Sequence, residues 1–119
     1  MEKQERPRIL KMYIVVRDDV PTNITPTLVA HTAINAHKHF NGSLDVYDEW
    51  LANHYFKVTV KVNPSVFEKI RSTLVCYQGY ENKTCNGEIT CLVCAPVWSD
   101  DVPKPLQYAK LWDEHPLKK

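Results

Sequence analysis

The sequence predicts a single compact α/β domain: a mixed, mostly four-stranded sheet with helices on both faces. Two kinds of strand point to it. The runs MYIVVR at 12–17 and EITCLVCAP at 88–96 are continuously apolar, as in strands buried on both faces, whereas HYFKVTVKV at 54–62 alternates and leaves one face wet or at an edge. Helical segments separate these runs, so strands and helices interleave along the chain.

Each element has a local cause. The first strand, near 10–17, ends in Arg17, Asp18 and Asp19, and a loop with Pro21, Thr22 and Asn23 follows. The first helix is expected over 26–40, with Thr25 as N-cap, Pro26 at its first position and Gly42 as a left-handed cap beyond its end. A second, short helix over 44–53 carries Leu44, Tyr47 and Leu51 on one face. In the strand at 54–62, Val58, Val60 and Val62 face one way and Lys57, Thr59 and Lys61 the other. Asn63-Pro64 restarts a helix whose buried stripe is Val66, Phe67, Ile70 and Leu74. A third strand follows at 75–80, a polar loop at 81–87 and the last apolar strand at 88–96. Pro103 and Pro105 exclude a long helix in the tail, so Leu106, Tyr108, Leu111 and Trp112 are expected to fold back as a short strand or packing segment. The domain thus runs over 10–113, between a flexible basic lead-in at 1–9 and a tail at 114–119.

Composition excludes several classes. The net charge is +1, so no global field selects nucleic acid or an acidic membrane. The charged N-terminus lacks the apolar segment of a signal peptide and no run reaches transmembrane length, so a cytoplasmic protein with no membrane association is expected. Three glycines leave no glycine-rich phosphate loop. Cys76, Cys91 and Cys94 lie in apolar runs and Cys85 in the loop between. Cys91 and Cys94, three apart on a strand, point to opposite faces and cannot share a metal, and no second CxxC or HxxxH completes a zinc site. They read as reduced core thiols, with no metal and no cofactor expected.

VVRDD at 15–19, LVAHTAINA at 28–36 and EITCLVCAP at 88–96 occur in an order that resembles the type II peptidyl-tRNA hydrolases of archaea and eukaryotes. DDVPKPLQYAKLW fits that family's final segment, and the resemblance covers about 11–112. It implies a mixed four-stranded sheet, a homodimer, and hydrolysis of the ester joining a peptide to the 3′ end of tRNA. That chemistry needs an activated water and donors for a tetrahedral oxyanion. The family's helix-start lysine falls here on Pro26 or Thr27, its glutamine on His31, and its histidine on Ile34, beside Asn35. Its aspartate falls near Gln78, with no Asp between Asp48 and Asp100; Asn82 or Thr84 stands in for its loop threonine and Thr90 for its strand threonine.

A strand end facing a helix start is where α/β folds place ligands. The candidate ligand-binding residues are therefore Arg17, Asp19, Thr25, Thr27, Asn35 and the loop residues Asn82, Lys83 and Thr84, with His31 as candidate general base. Arg17 and Asp19 either pair with each other or contact a ligand. His37 and His39 read as surface residues, and Trp50, Trp98 and Trp112 as core, dimer seam or a base-stacking platform. With the cation and the carboxylate replaced, the expectation is a binding protein that holds a nucleotide-like ligand or a tRNA 3′ end, for instance to sequester it, without efficient turnover. A divergent hydrolase using His31 is the alternative, and a homodimeric interaction module the third reading.

Overall fold

The computed structural model describes residues 8–80 and 87–113. Ten elements follow one another: β1 (Leu10–Arg17), α1 (Thr25–Phe40), α2 (Asp45–Asn53), β2 (Phe56–Val62), α3 (Pro64–Thr73), β3 (Cys76–Tyr80), β4 (Ile89–Cys94), β5 (Val97–Trp98), α4 (Lys104–Gln107) and β6 (Lys110–Leu111). The sheet has the order β3-β4-β1-β2-β6, and β5 pairs with the start of β1. β1 and β2 are parallel over Lys11↔Phe56 to Arg17↔Val62, while β4 runs antiparallel to both β1 and β3. The four long strands are those expected; β5 and β6 are two-residue additions.

Alternation along β1 divides the core in two. Leu10, Met12, Ile14 and Val16 join Cys91 and Val93 beneath Leu28, Ala36 and Phe40 of α1 and Tyr47 and Trp50 of α2. Tyr13 and Val15 join Val60, Val62, Leu92 and Cys94 beneath Phe67 and Ile70 of α3 and Leu106 of α4. Helices therefore cover both faces, which is why residues 12–16 of β1 and 91–94 of β4 are buried without alternation. Cys91 and Cys94 do lie on opposite faces, both fully buried.

Local chemistry moves several boundaries. Thr25 is the first residue of α1 rather than its cap. It is buried and its hydroxyl donates back to the Pro21 carbonyl at 2.8 Å, while Ile24 occupies the cap position with no side-chain bond. Asn63 does cap α3, its side-chain oxygen accepting from the Val66 amide at 2.8 Å. Gly42 has φ +78°, the left-handed value expected just past the C-cap Asn41. β2 starts at Phe56, because Tyr55 itself takes φ +68° and its amide bonds to the Trp50 carbonyl. Arg8 and Ile9, expected in a flexible lead-in, are held. Arg8 pairs with Asp100 at 2.9 Å and lies 4.6 Å over the Trp98 ring, and Ile9 exchanges hydrogen bonds with Ser99. Among the described residues, no helix is long and apolar enough to cross a membrane.

Candidate functional site

The parallel pair sets the site. β1 and β2 end side by side, coupled by the Asp18 amide, which donates to the Val62 carbonyl at 2.8 Å. β1 leads into the loop before α1; β2 leads directly into the capped start of α3. The crevice at the carboxyl ends of parallel strands is where open α/β sheets hold ligands.

On the α1 side, Arg17 is bound at both ends of its fork. Its Nε donates to Asp19 at 2.6 Å and its terminal nitrogen to Glu88 at 2.7 Å, tying the end of β1 to the approach of β4. These two carboxylates push the guanidinium further above its ordinary range. Of the two readings of Arg17 and Asp19, mutual pairing is the one observed. Thr25 is buried and turned inward, whereas Thr27 is exposed. His31 is exposed and its Nε2 sits 3.1 Å from the Asn35 amide nitrogen, one helical turn on. These residues do not converge with Arg17 and Asp19 on one of the cavities described below. Asn82, Lys83 and Thr84 lie outside the described residues. Thr90 is fully buried with a hydroxyl that has no hydrogen-bond partner among the described residues, and Gln78 is exposed on β3.

The α3 side holds the larger cavity, about 460 Å³. Four lysines from four elements surround it: Lys61 of β2, Lys69 of α3, Lys104 of α4 and Lys110 of β6. Among the described residues, Asp18 is the one carboxylate in its lining. Tyr108, 82% exposed, forms part of the wall, and Val62, Val66 and Ala109 give it an apolar floor. Lys61 and Lys110 are direct cross-strand partners, an arrangement of like charges that is unfavourable in itself. Lys61 also donates to the Asp113 carbonyl at 2.7 Å.

None of these lysines stands out in the sequence. They are spread over four elements, and only the return of the tail onto β2 brings Lys104 and Lys110 to Lys61. The available signal is the expected fold-back of the segment carrying Leu106, Tyr108, Leu111 and Trp112, which the structure shows as β6 pairing with β2.

A second, mainly apolar groove of about 330 Å³ lies between α1 and α2, edged by Ile34, His37, Lys38 and Tyr55. His37 is half-buried and bonds to the Tyr47 hydroxyl at 2.9 Å rather than lying free on the surface. Trp50 is buried, and Trp98 and Trp112, partly buried, pack against the same cluster. Among the described residues, no group of three His, Cys, Asp or Glu is placed to hold a metal ion.

No family model matches the chain, and no curated protein matches it.

Proposed function

We propose that this protein binds a nucleotide-like ligand or an RNA 3′ end, holding its phosphates without efficient turnover. The observation that carries the reading is the four-lysine cavity at the carboxyl end of the β1–β2 pair. On a chain of net charge +1, four cations around one concave site concentrate positive potential where anions dock in this class of fold. Tyr108 offers an exposed aromatic face for a base.

Among the described residues, no histidine lines the lysine cavity, which supports binding without turnover. Ester hydrolysis needs a base within hydrogen-bond reach of the attacking water and donors aimed at the oxyanion. His31 is exposed, paired with Asn35, and not part of the cavity wall. The sequence resemblance to type II peptidyl-tRNA hydrolases points the same way: that family's helix-start lysine falls here on Pro26 or Thr27, and its aspartate near Gln78. A fold of that kind with altered chemistry is suited to sequestering a ligand.

The test is native mass spectrometry against nucleotides, cyclic dinucleotides and a short RNA ending in the tRNA 3′ sequence, beside single-turnover hydrolysis of an N-acylated aminoacyl-tRNA. Bound, intact ligand and no product is the expected result. Turnover lost in His31→Ala would establish the divergent hydrolase instead, and no affinity for any of these ligands would overturn the binding reading.

A further inference from the structure

The strand pairing sets two free thiols opposite each other on the α3 face. In the β3–β4 register, Cys76 is the direct partner of Cys94. The Ala95 amide donates to the Val75 carbonyl at 2.8 Å, so Val75 and Ala95 form a hydrogen-bonded pair. By the alternation of antiparallel ladders, Cys76 and Cys94 are then a non-hydrogen-bonded pair, the closer kind, with Cα atoms about 4.5 Å apart. A disulfide spans Cα separations of roughly 4.4–6.8 Å. Both side chains belong to the same cluster: Cys94 is in the core beneath α3 and Cys76 packs against it. Cys91 belongs to the opposite face of the sheet.

The two thiols differ in access. Cys94 is 1% exposed, whereas Cys76, at the start of the edge strand β3, is half-buried. A reagent therefore meets Cys76 first. Burial raises the Cys76 thiol above its ordinary range, and Arg71 partly offsets this by favouring the thiolate.

We propose that Cys76 and Cys94 form an oxidisable dithiol site that a small-molecule disulfide converts to an intramolecular cross-link. The Cys76 thiolate attacks one sulfur of the reagent, forms a mixed disulfide and releases one thiolate, which takes up a proton. Cys94 gives up its proton and attacks the Cys76 sulfur, forming the Cys76–Cys94 bond and expelling the second thiol. The protein loses two electrons and two protons, and the reagent is reduced to two thiols. The bond staples β3 to β4 and closes the segment carrying Asn82, Lys83 and Thr84, which restricts the unfolded chain.

The experiment incubates the folded protein with oxidised glutathione, blocks remaining thiols, and maps the linked peptides by mass spectrometry. The expected product is two hydrogens lighter, links Cys76 to Cys94, and melts several degrees higher than the reduced protein. Cys76→Ser and Cys94→Ser should each abolish the cross-link, and Cys91→Ala and Cys85→Ser should leave it. Mapping on the unsubstituted protein keeps the test independent of whether a core variant folds. A link that uses Cys85, a glutathione adduct that does not resolve, or no reaction would overturn the proposal.

Discussion

Gly79 lies against Thr32 with no room for one further carbon. A Cβ at Gly79 would sit 2.6 Å from Thr32 Cγ2 and closer still to its hydroxyl. Thr32 cannot swing aside: it is fully buried and its hydroxyl donates to the Leu28 carbonyl at 2.7 Å. This contact lets α1 lie directly on the edge strand β3. Gly79→Ala should therefore destabilise the protein by about 1–3 kcal/mol through overpacking. Thr32→Ala in the same chain should recover part of that loss. Urea unfolding of the two single variants and the double variant measures the coupling, and simple additivity would refute it.

The same contact shows what the sequence could and could not convey. The stripe of Phe67 and Ile70, the cap at Asn63 and the opposed faces of Cys91 and Cys94 were legible because each follows from spacing of two to four residues. The Gly79–Thr32 approach joins residues 47 apart in sequence (79 − 32), and no local pattern marks it. The site divides along the same line. The sequence pointed to the end of β1 and the start of α1, whereas the lysine cavity lies on the α3 side. The lysines around it were not readable, because Lys110 reaches Lys61 only through the pairing of β6 with β2. Thr25 misled for a local reason: it has a capping residue's chemistry, but it spends its hydroxyl on Pro21.

Tyr55 carries a left-handed backbone that its surroundings enforce. Its amide donates to the Trp50 carbonyl at 2.8 Å, the Trp50 ring nitrogen donates to the Phe56 carbonyl at 2.6 Å, and the Tyr55 ring contacts both the Trp50 ring and the Lys57 ammonium. A β-carbon in this region costs about 1–2 kcal/mol. Tyr55→Ala loses the ring contacts and keeps that cost, whereas Tyr55→Gly loses both. The glycine variant should be the more stable of the two by about 1 kcal/mol. Equal stability in denaturant would mean that the backbone relaxes at this position.

Alkaline pH should weaken the fold through its buried thiols. Burial pushes Cys91 up to about 12 and raises Cys94 as well, while an unfolded thiol titrates near 8.5. Between these values the native state holds protons that the unfolded chain has released, so stability falls as pH rises. The contribution is fully present below about pH 8.5 and is lost progressively toward the folded value. Each such thiol adds a slope of up to about 1.4 kcal/mol per pH unit. Urea unfolding from pH 8 to 10.5 should show this decline, and Cys91→Ala should make it shallower. An unchanged slope in that variant would assign the decline to other groups, among them the buried Tyr13 and Tyr47, whose phenols burial also raises.

Binding at the lysine cavity has an ionic signature of its own. Lys69 and Lys104 reach it from separate helices, so replacing either with glutamine removes one charge without touching the core. If each contacts a phosphate of a single-stranded RNA end, the slope of log affinity against log salt should fall by about 0.7 per replacement. Lys69→Arg and Lys104→Arg should keep most of the affinity, because a point charge near phosphate is what is required. Tyr108→Ala should weaken binding by about 1–3 kcal/mol per stacked base while leaving the salt slope unchanged, since stacking releases no counterions. Lys38→Gln serves as the control, because Lys38 lines the separate groove between α1 and α2. Fluorescence titrations at several salt concentrations separate these cases. A loss of slope in Lys38→Gln equal to that in Lys69→Gln would mean that the lysines act as diffuse surface charge rather than as a site.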